Sequence, residues 1–287
     1  MTAVRTFQPL ASAVSAQGLD VSNYQGRFNW AAVSGLSFGI NRVTQGLGTP
    51  GTNSPDPEAG WNHAAIRDAG LHRGAYHFLD PRLDGAAQAR YFVDILGRHG
   101  LVKDDMLWCD SETAGLSPGA TARCGAAFMT ELHTLRPENP MGVYTYINFA
   151  KQGYCGGLGQ WPLWLAYPNG TAPLPPPPWV KWAFWQWGLR NGVDADAFNG
   201  TAADLAAWIA SFQPPAQTWA ELVTDGTFSL EQAAVACHML PSSVLRHTAV
   251  HYGAFDAVIS AYVNGLAAGT IDPGAPIPDR GKLWVRK

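Results

Sequence analysis

Short apolar runs alternate with longer amphipathic stretches along the first two-thirds of the chain. Gly18–Ser22 reads as a short buried strand that ends in polar residues. Phe38–Val43, Arg73–Phe78, Met106–Cys109 and Met141–Tyr146 read as strands by the same criterion, followed by Pro162–Ala166 and Trp182–Trp187. Helical patterns lie between them: a short one at Trp30–Val33, Gly60–Asp68 stopped by Gly70, Gly85–Arg98, Thr121–Leu135 and the short Asn148–Gly153. Gly85–Arg98 is the clearest, with Ala86, Ala89, Phe92, Val93 and Leu96 at helical spacing. Residues 44–57 are rich in Gly and Pro and read as a loop. Strands alternating with helices predict a parallel sheet with helical crossovers. The later strands are separated by loops instead, which predicts an incomplete β/α barrel. Chemistry in such a barrel sits at the carboxyl ends of the strands. Polar residues fall there: Asp20 after the first strand, Tyr76 and His77 in the third, Asp110 and Glu112 after the fourth.

Two proline-rich breaks organise the rest. Pro173–Pro178 holds four consecutive prolines, a stiff loop inside the domain. Gln213-Pro-Pro-Ala-Gln217 follows a helix at Ala202–Phe212 and reads as a domain boundary. The expected organisation is a disordered leader at 1–17, a main domain at 18–212, a linker at 213–217 and a small module at 218–287. The leader has one Arg and a Pro inside a short apolar stretch. It lacks the apolar core of about 7–15 residues that an export signal needs.

Composition narrows the function classes. Charged residues are 14% of the chain, against about 25% in an average soluble protein. The net charge of −3 gives no basic footprint for nucleic acid. No run of 18 apolar residues occurs, so no membrane span is expected. Trp is frequent, at 12 of 287 residues, which suits cores and also clefts where sugar faces rest on rings. Cys109, Cys124, Cys155 and Cys237 contain no C-x-x-C and read as reduced, mostly buried thiols. No metal and no cofactor is expected. His63, His72 and His77 lack metalloprotease spacing and read as core or surface residues. Gly46-Leu-Gly48-Thr-Pro-Gly51 fits a dinucleotide fingerprint in letters only, because no helix follows it.

The strongest local feature is Trp108-Cys-Asp110-Ser-Glu112-Thr. Alternation along a strand puts Asp110 and Glu112 on one face and Cys109 on the other. Two carboxyls that close raise one another's proton affinity, which yields a general acid beside a charge stabiliser. Glycoside hydrolysis needs that pairing. A pair of solvated loop carboxylates would give the same letters.

The wider order of motifs decides between them. Asp20-Val-Ser22-Asn-Tyr24-Gln25-Gly26, Arg42-Val-Thr44-Gln-Gly46 and Gly74-Ala-Tyr76-His-Phe78 precede the D-x-E pair. Gly142-Val-Tyr144, Trp164-Leu-Ala166, Trp185-Gln186 and Val193-Asp194-Ala-Asp196-Ala-Phe-Asn199-Gly200 follow it. Over residues 18–212 the chain resembles the family 25 glycoside hydrolases, the N-acetylmuramidases of phage endolysins and bacterial lysozymes. The resemblance implies an α/β fold: an irregular, flattened eight-stranded β/α barrel with an acidic groove. It implies cleavage of the β-1,4 bond between N-acetylmuramic acid and N-acetylglucosamine in bacterial peptidoglycan. Glu112 matches the general acid/base, Asp110 its partner and Asp20 the first-strand aspartate. Asp194 fits the late aspartate better than Asp196. Tyr76, with a hydroxyl for the N-acetyl group, Tyr144, Trp164, Trp185, Gln186 and Asp196 are the expected substrate contacts.

The resemblance implies retention of configuration, through attack on the anomeric carbon by the substrate's own acetamido oxygen, the favoured version, or directly by a carboxylate. Gln45 stands where the family usually has an acid, which implies a change in groove charge. Residues 218–287 resemble a divergent LysM-like α+β wall-binding module, through Asp225-Gly-Thr-Phe-Ser-Leu230, Tyr262-Val-Asn264 and Pro278–Val285. The whole reads as an endolysin held in the host cytoplasm until lysis and then acting on the wall. The alternatives are a non-catalytic wall-glycan binder, or a β-N-acetylglucosaminidase or chitinase on the same fold. Oligomeric state leaves no signal in the sequence.

Overall fold

The computed structural model describes residues 15–48, 54–169 and 171–213, and the chain divides into two units after Gln213. The expected 218–287 module, Cys237, and nearly all of the expected leader and linker lie outside the described residues. Eight strands form a closed barrel in chain order. They are β1 (Gln17–Val21), β2 (Phe38–Gln45), β3 (His72–Phe78), β4 (Met106–Asp110), β5 (Met141–Tyr146), β6 (Leu163–Ala166), β7 (Phe184–Arg190) and β8 (Val193–Phe198). Helices α1 (Ala59–Asp68), α2 (Gly85–Arg98), α3 (Pro118–Leu135) and α4 (Ile147–Lys151) link β2 through β6, and α5 (Ala202–Ala210) follows β8. Two short 3-10 turns, Asn23–Gln25 and Trp30–Ala32, replace a helix between β1 and β2.

Neighbouring strands from β1 to β7 are parallel, and β8 runs antiparallel to both β7 and β1. The hydrophobic pattern alone predicts seven strands and an incomplete barrel; β8 is the eighth strand that the resemblance implies, and it closes the barrel. Its sequence, Val-Asp-Ala-Asp-Ala-Phe, is too acidic to read as a buried strand. The missed signal was the two-residue link Asn191-Gly192, with φ of 55° and 79°. Both central residues of a type I′ turn take positive φ, and Asn-Gly is the preferred pair for such a hairpin. Gln17 opens β1, and the N–H of Ala16 bonds Gly200 O while its carbonyl accepts from Phe198, so residues before Gly18 take part in the barrel.

Alternation divides the core in two. Leu107, Cys109, Val143 and Leu163 point outward under α2 and α3, against Phe92, Phe128 and Leu132. Phe38, Ile40, Met106, Trp108, Trp164 and Phe184 fill the barrel. Trp208 of α5 packs against Trp108, Phe184 and Phe198 and plugs the end where the parallel strands begin. Glycines make room for these large rings. A Cβ on Gly142 would stand 2.4 Å from the Trp108 ring and 2.5 Å from the Pro162 carbonyl oxygen.

With one end filled by aromatic rings, a cleft opens at the carboxyl ends of the parallel strands. Gly142→Ala is expected to lower the unfolding free energy by about 1–3 kcal/mol, because neither the buried indole nor the backbone carbonyl has room to retreat. Chemical denaturation checks this.

Candidate active site

A cleft of about 220 Å³ opens at the carboxyl ends of the parallel strands. Four acids line it: Asp20 from β1, Asp110 from the last position of β4, Glu112 just beyond, and Asp194 from β8. Because β8 is antiparallel, Asp194 near its start reaches the same end as Asp20, its register partner. Alternation keeps Trp108 and Asp110 inside the barrel and puts Cys109 outside, where it packs in the core.

A hydrogen-bonded chain holds the first acid. The Tyr144 hydroxyl donates to Gln186 Oε1 at 3.0 Å, and Gln186 Nε2 donates to Asp20 Oδ2 at 2.8 Å. Tyr144 and Tyr76 both stand edge-on to the Trp164 ring, at 4.7 and 6.3 Å between centroids. These four side chains also line the cleft. The rings offer flat apolar surface and the polar tips offer hydrogen bonds, the combination a sugar ring takes.

Arg42 is the buried cation at this acidic site. Arg42 keeps the regular register of β2, pairs with Tyr76 and lines the cleft, and a bulge just after it shifts Thr44 to pair with His77. Its Nε donates to Asp56 Oδ2 at 3.0 Å, its terminal nitrogen donates to Asn23, and it lies 5.9 Å from the Tyr24 ring centre. Tyr24 is 83% exposed and lines the cleft. Sequence reasoning quoted Arg42 and Tyr24 only inside motifs and did not single out Asp56. The available signal was an arginine inside a strand that reads as buried, a charge that needs a buried partner.

Burial and crowding set the protonation of the acids. Burial pushes Asp20 up to about 7; the Asp194 charge adds to the rise and the Gln186 hydrogen bond opposes it. Asp110, 5% exposed, is held well above the usual carboxylate range by burial, then by Glu112 and Asp20. Glu112 is raised by burial and then by Asp194, and Asp194 by burial. Asp110 Oδ1 has no hydrogen-bond partner among the described residues. All four acids thus hold protons more tightly than ordinary carboxylates, the condition under which a carboxyl serves as the acid in cleavage of a glycosidic bond.

The chain is similar to Lysozyme M1 of Streptomyces globisporus, 31% identical over 223 residues, 71% of this chain and 74% of that one. Its structure is similar to the bacterial lysozyme from Streptomyces coelicolor, with 29% identity, TM-score 0.61 and coverage of 70% of this chain and 100% of that one. It is also similar to a muramidase from Acremonium alcalophilum, with 28% identity, TM-score 0.61 and coverage of 68% and 99%. Residues 19–196 match the family described as Glycosyl hydrolases family 25. The chain belongs to that family.

Within this family 25 barrel, two expected substrate contacts do not line the cleft. Trp185 lies on the outer face of β7, fully buried, its Nε1 donating to Tyr167 O at 3.0 Å. It alternates with Gln186, so only one of the pair can face inward. Asp196 lies beneath the cleft floor, 0% exposed. Gln45, expected to alter groove charge, is also absent from the lining.

His77 is second to the core rather than to the cleft. It bonds Thr44 and Gln88, stacks on Phe128, and burial pushes it down to about 4. His63 is equally enclosed, beside Asn41 and Asp105. Among the described residues no three His, Cys, Asp or Glu side chains group as metal ligands. Cys109, Cys124 and Cys155 are free thiols, and burial pushes the latter two up to about 11.

The activity of a general acid is lost as pH rises through its own pKa. Asp194→Asn removes the anion that supports the raised value of Glu112. The alkaline limb of the rate profile is therefore expected to move to lower pH, as read from kcat/KM across pH.

Proposed function

We propose that this family 25 glycoside hydrolase cleaves bacterial peptidoglycan, at the β-1,4 bond between N-acetylmuramic acid and N-acetylglucosamine. The supporting observation is the cleft itself: Glu112 with raised proton affinity beside a still more enclosed Asp110, under Tyr76, Tyr144 and Trp164. The lysozyme and muramidase relatives support the same substrate.

In the proposed mechanism Glu112 gives its proton to the leaving glycosidic oxygen. The acetamido oxygen of the muramic acid residue attacks the anomeric carbon, and the bond to the leaving sugar breaks. Glu112, now ionised, takes a proton from water as that water opens the cyclic intermediate, so configuration is retained. The unpartnered Asp110 Oδ1 supports this version, because a buried acceptor without a donor suits the acetamido N–H. Asp20, fixed by Gln186, and Asp194 balance the positive charge that develops on the sugar. In this reading residues 218–287 form a LysM-like wall-binding module, supported by the motifs at Asp225–Leu230 and Tyr262–Asn264.

The test is digestion of purified peptidoglycan, borohydride reduction and mass analysis of the fragments. Wild type is expected to yield reduced muramic acid ends, and Glu112→Gln to lower kcat by about 10²–10⁴-fold. Reduced glucosamine ends would overturn the bond assignment. Peptidoglycan whose muramic acid lacks the N-acetyl group is expected to resist cleavage; cleavage at the unmodified rate would rule out attack by the acetamido oxygen.

A further inference from the structure

Asp196 is a carboxyl with no access to solvent and none to substrate. It is 0% exposed and absent from the cleft lining, yet it sits inside the barrel beneath the acids that do the chemistry. Register puts it opposite Gly18 on β1 and opposite Gln186 on β7. Asp20, two residues along β1, is therefore its diagonal neighbour on the same face. The indole Nε1 of Trp164 donates to Asp196 Oδ1 at 2.8 Å. Oδ2 has no hydrogen-bond partner among the described residues, and the carboxyl diagonal to it is that of Asp20, each of the two shifting the other's proton affinity.

Two ionised carboxylates cannot hydrogen-bond to each other; a bond between these neighbours requires a proton on one of them. The surroundings decide which. Asp20 reaches the cleft and accepts from Gln186 Nε2, itself backed by Tyr144. Asp196 is sealed from water, where an unpaired charge is far more costly than a neutral acid. The site around Asp196 asks for an acceptor toward Trp164 and a donor toward Asp20. A protonated carboxyl supplies both, and a carboxylate supplies only the first.

We infer that Asp196 is a permanently protonated positioning residue, which donates to Asp20 and holds it as an oriented anion beneath the sugar. Asp20 then receives one donor from β7 and one from β8. The acids around it are Asp194 on β8, Asp110 at the end of β4 and Glu112 after it, with the hydroxyls of Tyr76 on β3 and Tyr144 on β5 and the Arg42 cation on β2 completing the shell. The role rests on the proposed hydrolysis, but the proton itself does not.

Asp196→Asn tests it, because an amide offers the same acceptor to Trp164 and the same donor to Asp20. Asp196→Leu keeps the approximate volume and offers neither. The Asn variant is expected to keep kcat within about threefold of wild type with the acidic limb of kcat/KM unmoved, and the Leu variant to fall by about tenfold or more with that limb at higher pH. In the infrared spectrum at neutral pH, a protonated-carboxyl band of wild type is expected to vanish in the Asn variant. A limb that moves to lower pH in Asp196→Asn marks the loss of an anion and overturns the inference. So does an unchanged infrared band, which reads correctly even if the Leu variant does not fold. Wild type that leaves peptidoglycan intact would remove the hydrolysis reading while the infrared outcome still decides the proton.

Discussion

Five carboxyl groups, Asp20, Asp110, Glu112, Asp194 and Asp196, converge on one end of the barrel, and the repulsion among them governs the local structure. Water would dissolve that repulsion, but the barrel wall excludes most of it, and Asp20, Asp110 and Asp196 are buried. The group is tolerable only because protons and donors replace water: Gln186 on Asp20, Trp164 on Asp196, and the Arg42 cation near Asp110. Removing one partner of such a network leaves a buried charge without compensation. The native state therefore binds protons that the unfolded chain releases. For Asp20, whose value rises from 3.8 to about 7, the sign is fixed. Its contribution is least unfavourable below pH 4 and grows unfavourable as pH rises toward 7. The fold accepts that loss of stability near neutrality, and it acquires carboxyls whose proton affinity suits acid catalysis.

The aromatic plug at the other end makes this arrangement affordable. Trp108, Trp164, Phe184 and Trp208 pack edge-on or stacked through the lower barrel. Burying such rings stabilises by about 1.5–3 kcal/mol each at the aliphatic rate, with ring geometry adding to it. The same packing fixes the acids. Trp164 touches Tyr76 and Tyr144 above it, and binds Asp196 through its indole N–H. One side chain thus joins the apolar floor, the sugar-facing rings and the acid network.

Arg42 plays the complementary part on the opposite wall. Its ion pair with Asp56 is buried, and Asp56 also accepts from the backbone of Asn23 and Glu58. The carboxylate thereby ties the loop after β1 to the segment leading into α1. A β-bulge just after Arg42 turns Thr44 away, since without it the two would share a face. The bulge sends Thr44 to His77 instead, so a local irregularity serves the cleft and the core together.

The sequence by itself determined the alternation of strands and helices, the inward face of β4, and so the pairing of Asp110 with Glu112 above a buried Trp108. Those features depend on side-chain spacing along single elements, which letters record directly. It also carried the Asn191-Gly192 turn, though the acidity of β8 hid the strand that the turn begins. Only the tertiary structure decided that β8 closes the barrel against β1. That closure puts Asp194 beside Asp20 in the cleft and Asp196 below it. It also decided that Gln186 enters the cleft while Trp185 does not, since the register of β7 with β6 and β8 sets which face is inward. The physical reason is that proton affinity and exposure are properties of a surrounding, assembled here from strands more than 170 residues apart in the chain.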